Sequence, residues 1–219
     1  APTAADGEFL NRTFGFHDLA IEVCLTPLMD LPKLDDYGAY LFLVVHGIDH
    51  NLPPGVLDTH ELDVFLGPNY LVTSHLQPSF SIRKAKEACL TRPDIMTSPD
   101  SLAHLIIDSQ VDSMLPPVQA AAEMLTKVKR QILEDPHPSQ LRAALDSEEM
   151  LLKVRRGIAP ELRALQMLSH KEHLVQESTR IYFQDVQDHL ERLQDLIGML
   201  LDMVESNLSL HLSVTANRT

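Results

Sequence analysis

The last forty-odd residues constrain this chain more than any other segment. From Ser178 to Thr219 there is no proline and a single glycine, Gly198. Apolar residues recur at Val186, Leu190, Leu193, Ile197, Leu200 and Val204, with spacings that alternate four and three. That is an a/d stripe with the heptad period. An uninterrupted helix over this stretch extends roughly 60 Å, at about 1.5 Å per residue. It runs into Asn217-Arg218-Thr219 without a glycine, a proline or any other capping signal. The pattern predicts a long helix with an interface stripe, cut in mid-course, in a natural chain that continues past Thr219. His211 carries the stripe on beyond Asn207. Polar residues at such positions fix register or line a wet channel at a cost in stability; the alternative is a frayed, solvent-facing stripe.

Composition narrows the rest. Aromatic residues are 5% of the chain and Trp is absent, while apolar residues reach 44%. Leu-rich helical packing is therefore expected over an aromatic-rich sandwich. The net charge of −13 excludes nucleic acid as a partner, since phosphate binding needs a basic stripe. Residues 1–60 carry nine acids against Arg12 and Lys33. Cys24 and Cys89 form no CxxC pair and point to reduced thiols in a cytosolic setting. The longest apolar run, Ala39 to Val45, falls far short of the ~20 residues that cross a bilayer. Neither a signal peptide nor an initiator Met is present, so the chain reads as trimmed in front as well.

Thr3 with Asp6 forms a capping-box pattern opening a short helix through Phe9 and Leu10. Phe14 to Cys24 reads as a second helical piece, broken by Pro27 and Pro32. Tyr40 to Val45 is a short buried strand, and Asn51 to Gly55 a loop. Leu62 to Leu66 and Tyr70 to His75 flank Gly67-Pro68-Asn69 as a hairpin, and a helix follows over Ser79 to Leu90. Ser98-Pro99 opens another helix, which Pro116-Pro117 kinks or restarts. After the corner at Asp135-Pro136-His137-Pro138, a helix spans Ser139 to Leu168 with a kink at Gly157/Pro160. The fold class is α+β: a small mixed β-sheet with flanking helices, followed by three long helices ending in the extended one. The corresponding parts are residues 1–97, an α/β head; 98–177, a kinked pair of long helices; and 178–219, a stalk.

Four segments bring this chain close to the cytoplasmic part of the CorA family of magnesium/cobalt channels. Phe14-Gly15-Phe16-His17 with Leu19-Ala20-Ile21-Glu22 resembles the family's short helix-loop. Pro32-Lys33-Leu34-Asp35-Asp36-Tyr37 leads into a strand as it does there. Glu61 to Thr73, through Leu66-Gly67-Pro68-Asn69-Tyr70, is the most specific match. Tyr182-Phe183-Gln184-Asp185-Val186-Gln187-Asp188-His189 and Ser213 to Thr219 resemble the stalk just before the first membrane span. The resemblance implies a homopentamer attached to the cell (inner) membrane through C-terminal spans, with this part on the cytoplasmic side. It further implies that Mg²⁺ or Co²⁺ bound between neighbouring cytoplasmic domains holds the pore closed.

By that likeness Glu22, Asp108 and Asp185 fall where the family places sensing carboxylates. Asp112, four residues from Asp108, and Asp188, three from Asp185, share their helix faces and complete the candidate metal set. Mg²⁺ takes oxygen ligands and keeps much of its water, which suits a few carboxylates from different helices. The family usually has Asp after the residue matching Glu22; here it is Val23, which removes one ligand. Leu212, Ala216 and Thr219 would approach the pore mouth, and Ser209 sits where some members carry an acid. No phosphate loop, G-x-S-x-G or H-E-x-x-H occurs, so no enzyme is expected. Two rivals stand beside the channel reading. One is a zinc-transporting relative, with His170 and His173 near Glu172 as Zn²⁺ ligands. The other is a metal-independent scaffold whose long helix binds partner helices.

Overall fold

The computed structural model describes residues 2–48, 59–91 and 98–218. The loop expected at Asn51 to Gly55 and the pore-mouth candidate Thr219 lie outside them. The elements are α1 (Ala4–Phe14), α2 (Asp18–Leu25), β1 (Lys33–Asp36), β2 (Leu41–Ile48), β3 (Thr59–Leu66), β4 (Leu71–Ser74), α3 (Phe80–Thr91), α4 (Pro99–Asp112), α5 (Leu115–Glu134), α6 (Pro138–Ser169) and α7 (Glu177–Arg218). They form two compact units, Ala1–Ser113 with Pro160–His189, and Met114–Ala159 with Leu190–Thr219.

In the first unit, the Thr3 capping box is formed on both sides. Asp6 N–H donates to Thr3 Oγ1 at 3.4 Å, and Thr3 N–H to Asp6 Oδ2 at 2.7 Å. The helix ends at Gly15, whose φ of 69° is one that side chains rarely tolerate. That turn splits the helical piece expected from Phe14: α2 starts only at Asp18, where His17 Nδ1 accepts the Leu19 N–H. Between the two helices Phe16 drops into the core. Its ring stacks on Phe65 at 4.0 Å and meets Tyr40 at 4.7 Å.

The sheet order is β1-β2-β3-β4, and every described pairing is antiparallel. The expected mixed sheet is thus a meander, because each described strand pairs with its chain neighbour. Central β2 is buried along its whole length, as a strand covered on both faces must be. Tyr40, Phe42 and Val44 pack on Phe16, Ala20, Ile21 and Cys24 from the α1–α2 layer. Alternation sends Leu41, Leu43 and Val45 to the opposite face. There α4 is anchored by Ser113 Oγ, which accepts the Ile48 N–H at 2.8 Å, and by Gln110 Oε1, 3.1 Å from His60 Nε2. Strand β1 was not expected as an element of its own. Only Leu34 of its four residues is buried, and Lys33, Asp35 and Asp36 suit an exposed edge.

The second unit is built from helices. Pro116 and Pro117 do restart the chain: α4 ends at Asp112 and α5 begins at Leu115 with proline in its first turn. This turns the three expected long helices into four. Val118, Leu125, Val128 and Ile132 of α5, Leu151, Val154 and Ile158 of α6, and Leu190, Ile197, Leu200 and Val204 of α7 are buried. The heptad stripe is therefore spent on the chain's own core, not held open as an interface. The polar stripe residues are filled likewise. Buried Asn207 donates Nδ2–H to Leu125 O at 3.0 Å, and His211 Nε2 lies 3.3 Å from His137 O.

Candidate metal centre

Within the first unit α4 lies beside the opening turns of α7. Burial alone would raise the Asp100 carboxyl, but hydrogen bonds from Ser98, Thr179 and the Gln176 N–H outweigh it and hold the group below the usual range. The next rung is Ser101 Oγ against Thr179 Oγ1 at 3.4 Å. Above it His104 meets the rings of Tyr182 and Phe183, at 5.4 and 5.6 Å. Numbering rises together on both helices, so they run parallel. Their periodicity then brings Asp108 and Asp112 opposite Asp185 and His189.

One ligand atom each from Asp108, Asp112 and His189 lie within 4.8 Å of one another. His189 Nδ1 is 3.7 Å from Asp112 Oδ1, and its Nε2 is 3.6 Å from Asp185 Oδ2. Burial, and then the charge of Asp112, push the Asp108 carboxyl above its ordinary value. Burial likewise lowers His104, against the pull of Asp108 and Asp185. The group brings two carboxylates and one imidazole together, with the Asp185 carboxylate beside the ring and Lys84 near enough to act on Asp108. Such a set fits a divalent cation. Bonds of about 2.1 Å put neighbouring ligand atoms roughly 3 to 4 Å apart, so side-chain rotation alone would close this triangle.

The five sequence candidates separate. Asp108 and Asp112 come together, and Asp185 joins them through His189. Asp188 is exposed on α7 outside the three-residue group. Glu22 is exposed on α2 and lines an open groove with Glu8, Asn11 and Arg12 of α1, while Val23 packs inward on the aromatic cluster. Ser209, Leu212 and Ala216 are exposed on α7. His170 donates its Nδ1–H to Gln166 O at 2.7 Å, and neither it nor His173 enters a three-ligand group among the described residues. His104 and His189 are the residues that reading the sequence missed. The signal was present: His104, Asp108 and Asp112, and then Asp185 and His189, repeat at intervals of four.

Among the described residues no helix is long and apolar enough to cross a membrane. The family model for CorA-like Mg2+ transporter protein matches residues 1–219. The chain is similar to YfjQ of Bacillus subtilis, provisionally named a metal ion transporter, with 30% identity over 99% of this chain and 67% of that protein. It is 23% identical to the cobalt/magnesium transport protein CorA of Thermotoga maritima, over 97% of this chain and 60% of that one. Its fold is that of the CorA magnesium transporter from Methanocaldococcus jannaschii, with a TM-score of 0.84 at 14% identity, covering 99% of this chain and 68% of that one. It thus spans roughly three fifths to two thirds of these relatives. On the match across its whole length, this chain belongs to the CorA-like Mg²⁺ transporter family.

Proposed function

We propose that this chain is the cation-sensing part of a divalent metal transporter, placed on the cytoplasmic side of the membrane in a homopentamer. The carrying observation is the meeting of Asp108, Asp112 and His189 across α4 and α7. A cation there ties the two helices together. When the cation leaves, the carboxylates of Asp108 and Asp112 on α4 are left facing Asp185 on α7 unscreened, and this end of the helix pair is pushed apart. Binding shifts the conformational balance only by the difference in affinity between the two states, so the state that keeps the triangle closed is favoured as cation rises. Coupling that change to a pore gives negative feedback on uptake of Mg²⁺ or Co²⁺. The names of the relatives, a cobalt/magnesium transport protein and a metal ion transporter, support the cargo class. The scaffold alternative loses its main support, because the heptad stripe is already buried within the chain.

Cation flux through the complete gene product in vesicles tests this. Internal Mg²⁺ or Co²⁺ should slow uptake in the parent. Asp108→Ala/Asp112→Ala should raise the half-inhibitory concentration by about tenfold or more, the cost of losing two of three ligands. Equal inhibition of parent and variant would defeat the sensor reading.

A further inference from the structure

We infer that the cavity between α2 and the sheet, floored by the carboxyls of Asp63 and Glu61, binds a small organic ammonium with a short aliphatic tail. The cavity shares no residue with the α4–α7 centre, and the inference does not depend on the sensor reading.

The strand register builds the floor. Asp63 pairs with Val44, which packs on the α1–α2 layer, so its side chain points to that face. Glu61, two residues earlier on β3, points the same way. The cavity they line measures about 140 Å³ and is completed by Cys24 of α2, Leu28 and Met29 of the segment that follows, and Leu76 beyond β4. Asp63 is 4% exposed, and its Oδ1 has no hydrogen-bond partner among the described residues. A buried carboxylate oxygen without a donor is costly, and a ligand that brings a donor removes the cost. One oxygen of Glu61 is already engaged, accepting the Asp30 N–H at 2.6 Å. Lys33 acts on Asp63, but its ammonium is bridged to Asp30 at 3.0 Å. Asp30, Glu61 and Asp63 thus outnumber Lys33. Burial raises the carboxyls of both Asp63 and Glu61, the mark of charge held there with too little compensation.

Two features favour an ammonium over a metal ion. Burial raises the Cys24 thiol, which keeps its proton and offers no thiolate. The donors around the cavity also form no three-ligand group of metal dimensions among the described residues. An N–H donor needs no such convergence; it reaches one carboxylate oxygen along one direction. Leu28, Met29 and Leu76 are exposed where they line the cavity and supply an apolar wall for a short tail. The segment carrying Leu28 and Met29 joins α2 to β1, so an occupant ties that connection to β3.

Calorimetric titration of this chain with n-butylamine tests the assignment, with tetramethylammonium as a cation that has no N–H. n-Butylamine should bind saturably, one per chain, and tetramethylammonium at least about tenfold more weakly. Asp63→Asn keeps the shape of the side chain, and a melt without ligand checks its fold; it should weaken n-butylamine by at least about tenfold. Asp108→Ala/Asp112→Ala should leave that affinity unchanged. Equal affinity in Asp63→Asn, equal affinity for tetramethylammonium, or no saturable binding by the parent up to roughly 10 mM would overturn the inference and leave the cation-sensing reading standing. A loss confined to Asp108→Ala/Asp112→Ala would place the amine at the α4–α7 centre and overturn it too.

Discussion

Glu161→Gln raises the stability of this chain at pH 8 and removes the largest single part of a decline that the parent shows between about pH 4.5 and pH 8. Glu161 sits on α6 with no exposed surface, and neither carboxylate oxygen has a hydrogen-bond partner among the described residues. Burial pushes its pKa up from 4.5 to about 8 and outweighs the opposing effect of the nearby His46 backbone amide. The folded chain therefore holds this proton while the unfolded chain releases it. The group's favourable contribution is complete below the unfolded pKa, falls as pH rises, and is gone above the folded one. The difference is on the order of 3 to 5 kcal/mol. Glutamine keeps the shape of the protonated acid and has no proton to lose.

Glu61 and Asp63 are also raised, chiefly by burial, and give the parent a slope of the same sign. His46 and His104 are lowered by burial, and their contributions are lost as pH falls. The difference between variant and parent cancels all four. Urea unfolding of both chains across pH 5 to 8 measures it; parallel curves would mean that Glu161 ionises as freely in the fold as in solution.

Phe16→Ala costs about 3 to 5 kcal/mol, the range for deleting a fully buried aromatic ring. Phe16 has 0% exposure, stacks on Phe65 at 4.0 Å and 6°, stacks on Phe14 at 5.1 Å, and tilts against Tyr40. Its removal leaves the α1–α2 layer held to the sheet by the smaller contacts of Ala20, Ile21 and Cys24. Phe16→Leu, which refills part of the volume, should cost less than half as much. A midpoint shift in urea reads both variants. A loss under about 1 kcal/mol for alanine would mean that the α1–α2 layer repacks freely.

Much of the fold was legible because local signals agreed with the tertiary result. The Thr3 capping box, the Gly67-Pro68-Asn69 hairpin, the Pro116-Pro117 restart and the heptad period of α7 each rest on neighbours in sequence, and each formed. What escaped depended on partners far along the chain. Strand β1 is four residues long and mostly charged; only its pairing with β2 makes it a strand. The α7 stripe has the period of an interface, but period does not name the partner, which proved to be the chain itself. The same holds for the site. Spacing put Asp108 and Asp112 on one face; it could not say that His189, 77 positions beyond Asp112, would complete the group. Attention to carboxylates, natural for Mg²⁺, passed over histidines at the same spacing.

The most direct measurement is a thermal melt of this chain titrated with Co²⁺ and Mg²⁺ against EDTA, with Asp108→Ala/Asp112→Ala in parallel. A ligand at 100 times its Kd adds about 2.7 kcal/mol to the folded state, or about 5–10 °C for a chain of this size. The predicted result is a saturable rise with Co²⁺ or Mg²⁺ that is absent from the double variant. No rise in the parent with either cation up to roughly 10 mM, or an equal rise in the variant, would contradict a metal centre between α4 and α7.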